Sequence, residues 1–195
     1  MNVSRETQER LAIYAELLIK WSPKINLVSR ASLQDAGKRH FDDSLQVVSL
    51  CPEGAATWVD LGSGGGFPGA VVAIALQDKG VSVTLIESDQ RKATFLRTVS
   101  RETKTPFTVI AKRIEDVDPM GSDVISARAL APLDDLLGFS ERHLAPNGTA
   151  FFMKGGAWRN EVAEAQKKWR FTCEAHRSVT HPEAAVLAIG GLSRV

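Results

Sequence analysis

Residues 58–69, Trp-Val-Asp-Leu-Gly-Ser-Gly-Gly-Gly-Phe-Pro-Gly, restrict the fold of this chain more than any other stretch. Trp58, Val59 and Leu61 form a short apolar run that ends in a loop with glycines at 62, 64, 65, 66 and 69, and an apolar stretch from Ala70 to Leu76 reads as the helix behind it. Glycine permits φ > 0 and lets a ligand come close to the main chain. Unpaired amide N–H groups at a helix start then face an anionic or electron-rich group. Pro68 suits the first helical position, where no N–H is needed. Strand, glycine-rich turn and helix start together make a nucleotide-type cradle. A purely architectural turn is the alternative, and so many glycines would be a costly way to make one, given their freedom in the unfolded chain.

The remaining pattern supplies a setting for the cradle. Leu11, Tyr14, Leu17, Leu18 and Trp21 recur at helical spacing, which predicts an amphipathic helix over 5–21, stopped near Pro23. A second helical pattern covers 30–50. Strands are predicted at 57–61, 81–87, 107–111, 123–127 and 149–154, separated mostly by helices at 69–78, 90–102, 132–144 and 158–168. Residues 171–179 and 185–190 suit a closing hairpin. Such alternation implies an α/β fold, a mostly parallel sheet with helices on both faces. The length suits one domain over 1–195, with a helical extension at 1–50 and a core at 55–195. No apolar run at the N-terminal end suits a signal peptide or membrane span. The widely spaced Cys51 and Cys173 suggest neither a disulfide framework nor a metal site. The expectation is a cytoplasmic protein. A net charge of +1 gives no argument for nucleic-acid binding by the chain as a whole.

The loop departs from the dinucleotide fingerprint, because Phe67 stands where a third glycine is needed. No Gly-Lys-Ser/Thr follows, which excludes a P-loop. Asp60, Gly62, Gly64 and Gly66 instead spell Asp-x-Gly-x-Gly-x-Gly. This resembles the first motif of Rossmann-like methyltransferases that use S-adenosylmethionine. In an open α/β sheet, ligands bind beyond the carboxyl ends of the strands. Glu87 ends the second strand, where an acid would take ribose hydroxyls, with Asp89 as a nearby competitor. Glu115 follows the third strand, where adenine commonly lies; a lone acid there is otherwise a cap or a solvated loop residue.

Further motifs narrow the resemblance. Trp21-Ser22-Pro23-Lys24-Ile25-Asn26-Leu27-Val28-Ser29, Arg39-His40-Phe41-Asp42-Asp43-Ser44-Leu45, the Phe-Pro-Gly end of the cradle, Glu87-Ser88-Asp89-x-Arg91-Lys92-x-x-Phe95-Leu96, Ile125-Ser126-Ala127-Arg128-Ala129 and Met153-Lys154-Gly155 run in order over 21–155. Together they resemble the bacterial 16S rRNA (guanine-N7) methyltransferase family, also named glucose-inhibited division protein B. Ser22 replaces the usual Asn, Ala127 precedes Arg128 where Ser-Arg-Ala is common, and the likeness weakens after 156.

The resemblance implies a class I methyltransferase fold and S-adenosylmethionine as cofactor, held by Gly62, Gly64, Phe67, Glu87, Ile114, Glu115 and Arg128. Phe67 has an alternative as a core anchor, and Arg128 as a surface ion-pair partner. The implied partner is 16S rRNA or the small ribosomal subunit, met by a monomer without membrane attachment. Guanine N7 carries no proton in the neutral base, so alignment, water exclusion and proximity suffice, and no catalytic acid or base is expected. His40 and Asp43 could form a dyad, although their spacing equally suits a structural hydrogen bond. Lys154 is expected to meet RNA phosphate or a base oxygen, with a solvated loop lysine as the alternative. Arg39, Arg91 and Lys92 are further substrate-binding candidates. They lie within two locally basic stretches, 20–40 and 91–104, although charged faces are usually just solvated. Two rivals stand beside this reading: a small-molecule methyltransferase with 1–50 as a lid, and a non-catalytic RNA-binding module.

Overall fold

The computed structural model describes residues 3–28 and 36–195, except the side chains of 36–39. Helix α1 (Arg5–Ile25) and helix α2 (Ala36–Ser49) precede β1 (Thr57–Leu61) and α3 (Gly69–Ala75). Next come β2 (Ser82–Ile86), α4 (Gln90–Glu102), β3 (Thr108–Ile110), a 3-10 turn at Ile114–Asp116 and β4 (Ser122–Arg128). Helix α5 (Leu133–His143), β5 (Leu144–Lys154), α6 (Trp158–Ala165), β6 (Trp169–Arg177) and β7 (Ala185–Arg194) complete the order. The strands make one seven-stranded sheet, β3-β2-β1-β4-β5-β7-β6. Neighbours from β3 to β5 pair in parallel, whereas β7 is antiparallel to both β5 and β6. The sheet is therefore mixed.

Period-two alternation sorts the strand side chains. Trp58, Val83, Leu85, Val124 and Phe151 face α1 to α4, where Tyr14, Leu18, Val47, Val72 and Phe95 complete the core. Val59, Leu61, Ile86, Ile125 and Phe152 face the other way, onto Leu133, Leu136 and Leu137 of α5 and Ala165 of α6. The sheet order reverses between β1 and β4, so a crevice opens at their carboxyl ends.

Several expected boundaries shift for local reasons. Helix α1 does not stop before Pro23 but contains it and ends at Ile25, where Asn26 turns left-handed at φ 50° and donates to Ser22 O. Proline in a last turn removes only its own N–H bond, so the turn survives. The first part of the helix expected over 30–50 lies outside the described residues, and α2 begins at Ala36. Strand β5 starts at Leu144, not 149, with Pro146-Asn147-Gly148 inside it at a register shift between Ser122, paired to Leu144, and Val124, paired to Thr149. Pro68 occupies the N-cap of α3, with Gly69 as its first residue, and the helix ends earlier than expected, passing into a 3-10 turn at Gln77–Lys79. The expected closing hairpin is present and longer, with Trp169 paired to Arg194.

Candidate functional site

The loop after β1 is held from three sides. Ser63 N donates to Ile86 O at 3.0 Å, and Gly66 N closes a turn onto Ser63 O at 2.7 Å. The buried Tyr14 hydroxyl, from α1, donates to Gly65 O. Burial pushes the Tyr14 pKa well above its ordinary value. Two glycines explain why the composition is so restricted. Gly66 has φ 93°, and a Cβ there would collide with the Tyr14 hydroxyl. Gly64 has φ 55°, yet its Cβ would find only Gly62 O, at 3.8 Å; the space beside it is open.

That space is a cavity of about 490 Å³ at the carboxyl ends of β1, β2 and β4. Gly62, Gly64, Phe67, Glu87, Ile114, Glu115 and Arg128 all line it, as does Lys92. Glu87 is buried, and its carboxylate joins two loops: Oε2 accepts from Gly64 N at 2.7 Å, and Oε1 from Asp89 N at 2.8 Å. An ionised carboxylate has about four lone-pair sites, so acceptor capacity remains for a ligand. Asp89 does not compete for this place. It caps α4 by accepting from Arg91 N and Lys92 N and pairs with the Arg91 guanidinium at 2.9 Å. The side-chain hydrogen bond from Arg91 is the largest of the contacts that hold its carboxyl below the usual range.

Phe67 belongs to the core and also lines the cavity. Its ring is 4% exposed and stacks on Tyr14 with centroids 5.4 Å apart, while one edge faces the cavity. Arg128 lies beside Phe67 and His40. Its guanidinium carbon lies 4.9 Å from the Phe67 centroid, and Nη1 donates to His40 Nδ1 at 2.7 Å. A guanidinium only donates, so Nδ1 is the acceptor and the neutral His40 ring carries its proton on Nε2. Asp43 binds elsewhere, with Oδ1 accepting from Ser178 at 2.9 Å and from Thr180 at 2.6 Å. A His40–Asp43 dyad is not what these atoms form.

Beneath the loop, sequence reasoning placed Asp60 in the motif without a role. It is fully buried, and Oδ1 accepts from Ser126 Oγ at 2.6 Å, itself hydrogen-bonded by Trp58 Nε1. Burial raises its pKa to about 6, against the opposing effect of hydrogen bonds from Ser126 and Ser63 and the charge of Arg128. Oδ2 lies against Gly69, 2.7 Å from where a Cβ would be, and lacks a well-formed hydrogen bond among the described residues. Lys112 and Arg113 also reach the cavity, with Lys92, and make its rim basic. They stand just before Ile114 and Glu115 in the chain, but no spacing rule singles them out. Tyr14 was legible only as part of the apolar face of α1, with no signal for its contact with the loop.

A second cavity of about 740 Å³ adjoins the first, and Leu27, Arg128 and Ala129 line both. Its wall includes Lys154, which is neither solvated nor free: it is 10% exposed, pairs with Glu161 at 2.6 Å and donates to Ala131 O at 3.0 Å. Arg91 is at the surface with Asp89, away from both cavities. The Arg39 side chain lies outside the described residues. So the structure gathers the cofactor candidates into one site and scatters the substrate candidates.

Comparison with known proteins agrees with this geometry. The profile of the rRNA small subunit methyltransferase G family matches residues 7–187. The "Ribosomal RNA small subunit methyltransferase G" of Ruegeria sp. (strain TM1040) is 55% identical, covering 100% of this chain and 96% of the relative. Its counterpart in Paracoccus denitrificans (strain Pd 1222) is 50% identical over 98% of each chain. Among solved structures, a SAM-dependent methyltransferase from Aquifex aeolicus superposes with a TM-score of 0.63 at 14% identity, over 82% of this chain and 95% of that one, a likeness of fold.

Proposed function

The chain belongs to the rRNA small subunit methyltransferase G family, and from that premise we propose that it methylates N7 of a guanine in 16S ribosomal RNA, with S-adenosylmethionine as the methyl donor. The observation that carries the reading is the glycine-loop cavity, where all the expected cofactor residues converge around the Glu87 carboxylate. When bound, S-adenosylmethionine supplies an electrophilic methyl group on a sulfonium centre. The residues present fit it. The open side of Gly64 admits a ligand to the main chain, Glu87 keeps acceptor capacity for ribose hydroxyls, and Ile114 beside Glu115 offers an apolar wall with a polar edge for adenine. Lys92, Lys112 and Arg113 give the rim the charge that a carboxylate or an RNA phosphate seeks.

The protein's part is positioning. Tyr14 and Glu87 hold the loop, Phe67 and Arg128 fix the floor beside it, and the burial of this layer excludes water from one side of the reacting atoms. No side chain is assigned to remove a proton, since guanine N7 has none to lose. We read the sheet order as a Rossmann-like class I methyltransferase fold, with residues 1–50 and 55–195 as one unit that acts as a cytoplasmic monomer. Among the described residues, no helix is long and apolar enough to cross a membrane. The test is to incubate the protein with labelled S-adenosylmethionine and small subunits lacking the modification, then map the product. Label on a single guanine, lost with N7-specific strand cleavage, supports the proposal; label on an exocyclic amine or a ribose hydroxyl overturns it.

A further inference from the structure

The second cavity is placed to receive the acceptor base, and one of its side chains matches a feature of guanine. An acceptor must reach the reacting methyl from a space continuous with the cofactor site, and Leu27, Arg128 and Ala129 are shared by the two cavities. At about 740 Å³ the second cavity is in the usual size range for small-molecule sites. A base in folded RNA enters such a pocket by leaving its stack.

Among the described residues, two carboxylates line this cavity, and they differ. Glu161 is committed: its Oε2 takes the Lys154 ammonium at 2.6 Å and the Leu133 amide at 2.9 Å. Asp43 is oriented but not neutralised. Ser178 and Thr180 both donate to its Oδ1, and among the described residues no partner engages Oδ2. These hydroxyls belong to the turn between β6 and β7, which is also tied to α2 by Gln46 Nε2 donating to Arg177 O at 2.6 Å and Gln46 Oε1 accepting from Val179 N at 3.1 Å. The carboxylate is therefore held on a braced wall, as recognition requires. Guanine is the common base that presents two adjacent donors, N1–H and the 2-amino group, on its Watson–Crick edge. With Oδ1 taken by the two hydroxyls, the two lone pairs of Oδ2 are left to accept from both donors.

We propose that Asp43 selects guanine by accepting hydrogen bonds from N1–H and the 2-amino group, which directs the opposite, N7-bearing edge toward the cofactor cavity. This rests on the function proposed above and assigns Asp43 to substrate recognition, not to proton transfer. Adenine would set an unprotonated N1 against the carboxylate, and a pyrimidine would present at most one donor there.

The experiment places inosine, which lacks only the 2-amino group, at the position that the wild-type protein methylates, in a reconstituted small subunit. Wild-type kcat/KM is expected to fall about ten- to a hundredfold on inosine, the scale of one hydrogen bond to a charged acceptor. In Asp43→Ala, kcat/KM on guanine falls by a comparable factor, and the ratio between guanine and inosine shrinks to the small difference set by N7 basicity. Asp43→Asn keeps an acceptor for Ser178 and Thr180 but turns an amide N–H₂ toward the base. It should fold with a melting temperature near that of the wild type and still lose guanine activity, which separates recognition from support of the wall. An equal guanine preference in wild type and Asp43→Ala, or full activity of Asp43→Asn, overturns the proposal. Failure of the wild type to methylate the guanine subunit would instead overturn the function on which it rests.

Discussion

Replacing Glu87 by glutamine isolates the contact that most directly links loop geometry to cofactor affinity. The wild-type carboxylate accepts from Gly64 N at 2.7 Å through one oxygen and from Asp89 N at 2.8 Å through the other. Glutamine keeps the volume but offers one oxygen, so one backbone N–H faces the amide nitrogen. The residue is 7% exposed, so water compensates little. An unsatisfied buried donor costs about 1–3 kcal/mol, and a lost hydrogen bond to a charged acceptor costs about the same. The ligand-free protein is thus predicted to lose about 1–3 kcal/mol of stability. Affinity for S-adenosylhomocysteine should fall about ten- to a hundredfold, through the displaced loop and the weaker ribose acceptor. Urea denaturation without ligand measures the first quantity and titration calorimetry the second. Asp89→Ala is the control: it removes the cap of α4, worth about 0.5–2 kcal/mol of stability, and should leave affinity within a few fold. Wild-type affinity in Glu87→Gln, or an equally severe loss in Asp89→Ala, would refute the assignment of Glu87 as the ribose acceptor.

Three further outcomes are expected. Gly64→Val should fold with a modest penalty of about 1–2 kcal/mol for a left-handed residue, because only Gly62 O lies near the new Cβ, at 3.8 Å, yet calorimetry should detect no cofactor binding, since the side chain occupies the space through which a ligand approaches the main chain. Tyr14→Phe should cost about 1–3 kcal/mol in denaturant midpoint experiments, as the Gly65 carbonyl loses its buried donor while the ring stack on Phe67 remains. The Asp60 carboxyl has a folded pKa of about 6 against an ordinary 3.8, so the folded state holds its proton more tightly and its contribution to stability falls as pH rises from about 4 to 6. Asp60→Asn should remove that slope, and at pH 7.5 should be the more stable protein by up to about 3 kcal/mol; a slope unchanged by the substitution would place the titration elsewhere.

What could be read from the sequence was local. The apolar run of Trp58, Val59 and Leu61 marked a strand, and neighbouring side chains in a strand point to opposite faces, so it is buried on both. The glycines announced the cradle because no other residue takes those backbone angles cheaply, and Glu87 followed from its place at the next strand end. The remainder of the site depends on contacts that no local pattern encodes. Tyr14 and Gly65 are 51 positions apart, Arg128 and His40 are 88 apart, and Thr180 and Asp43 are 137 apart. The same pairs decide what the N-terminal helices are. A lid that opens for a small substrate would expose the side chains of α1 and α2 in leaving the cradle. Here Tyr14 and Leu18 are fully buried in the core beneath the sheet, and Val47 is as well. Moving α1 would break the hydroxyl contact that holds Gly65 in place, and moving α2 would take His40 from Arg128 and Asp43 from the β6–β7 turn. The extension is thus a structural part of both cavities, through Leu27 in the two and through His40 and Asp43 in the second. That favours a site preformed for a substrate presented from outside, as a base on a large RNA must be, over one that closes around a small molecule.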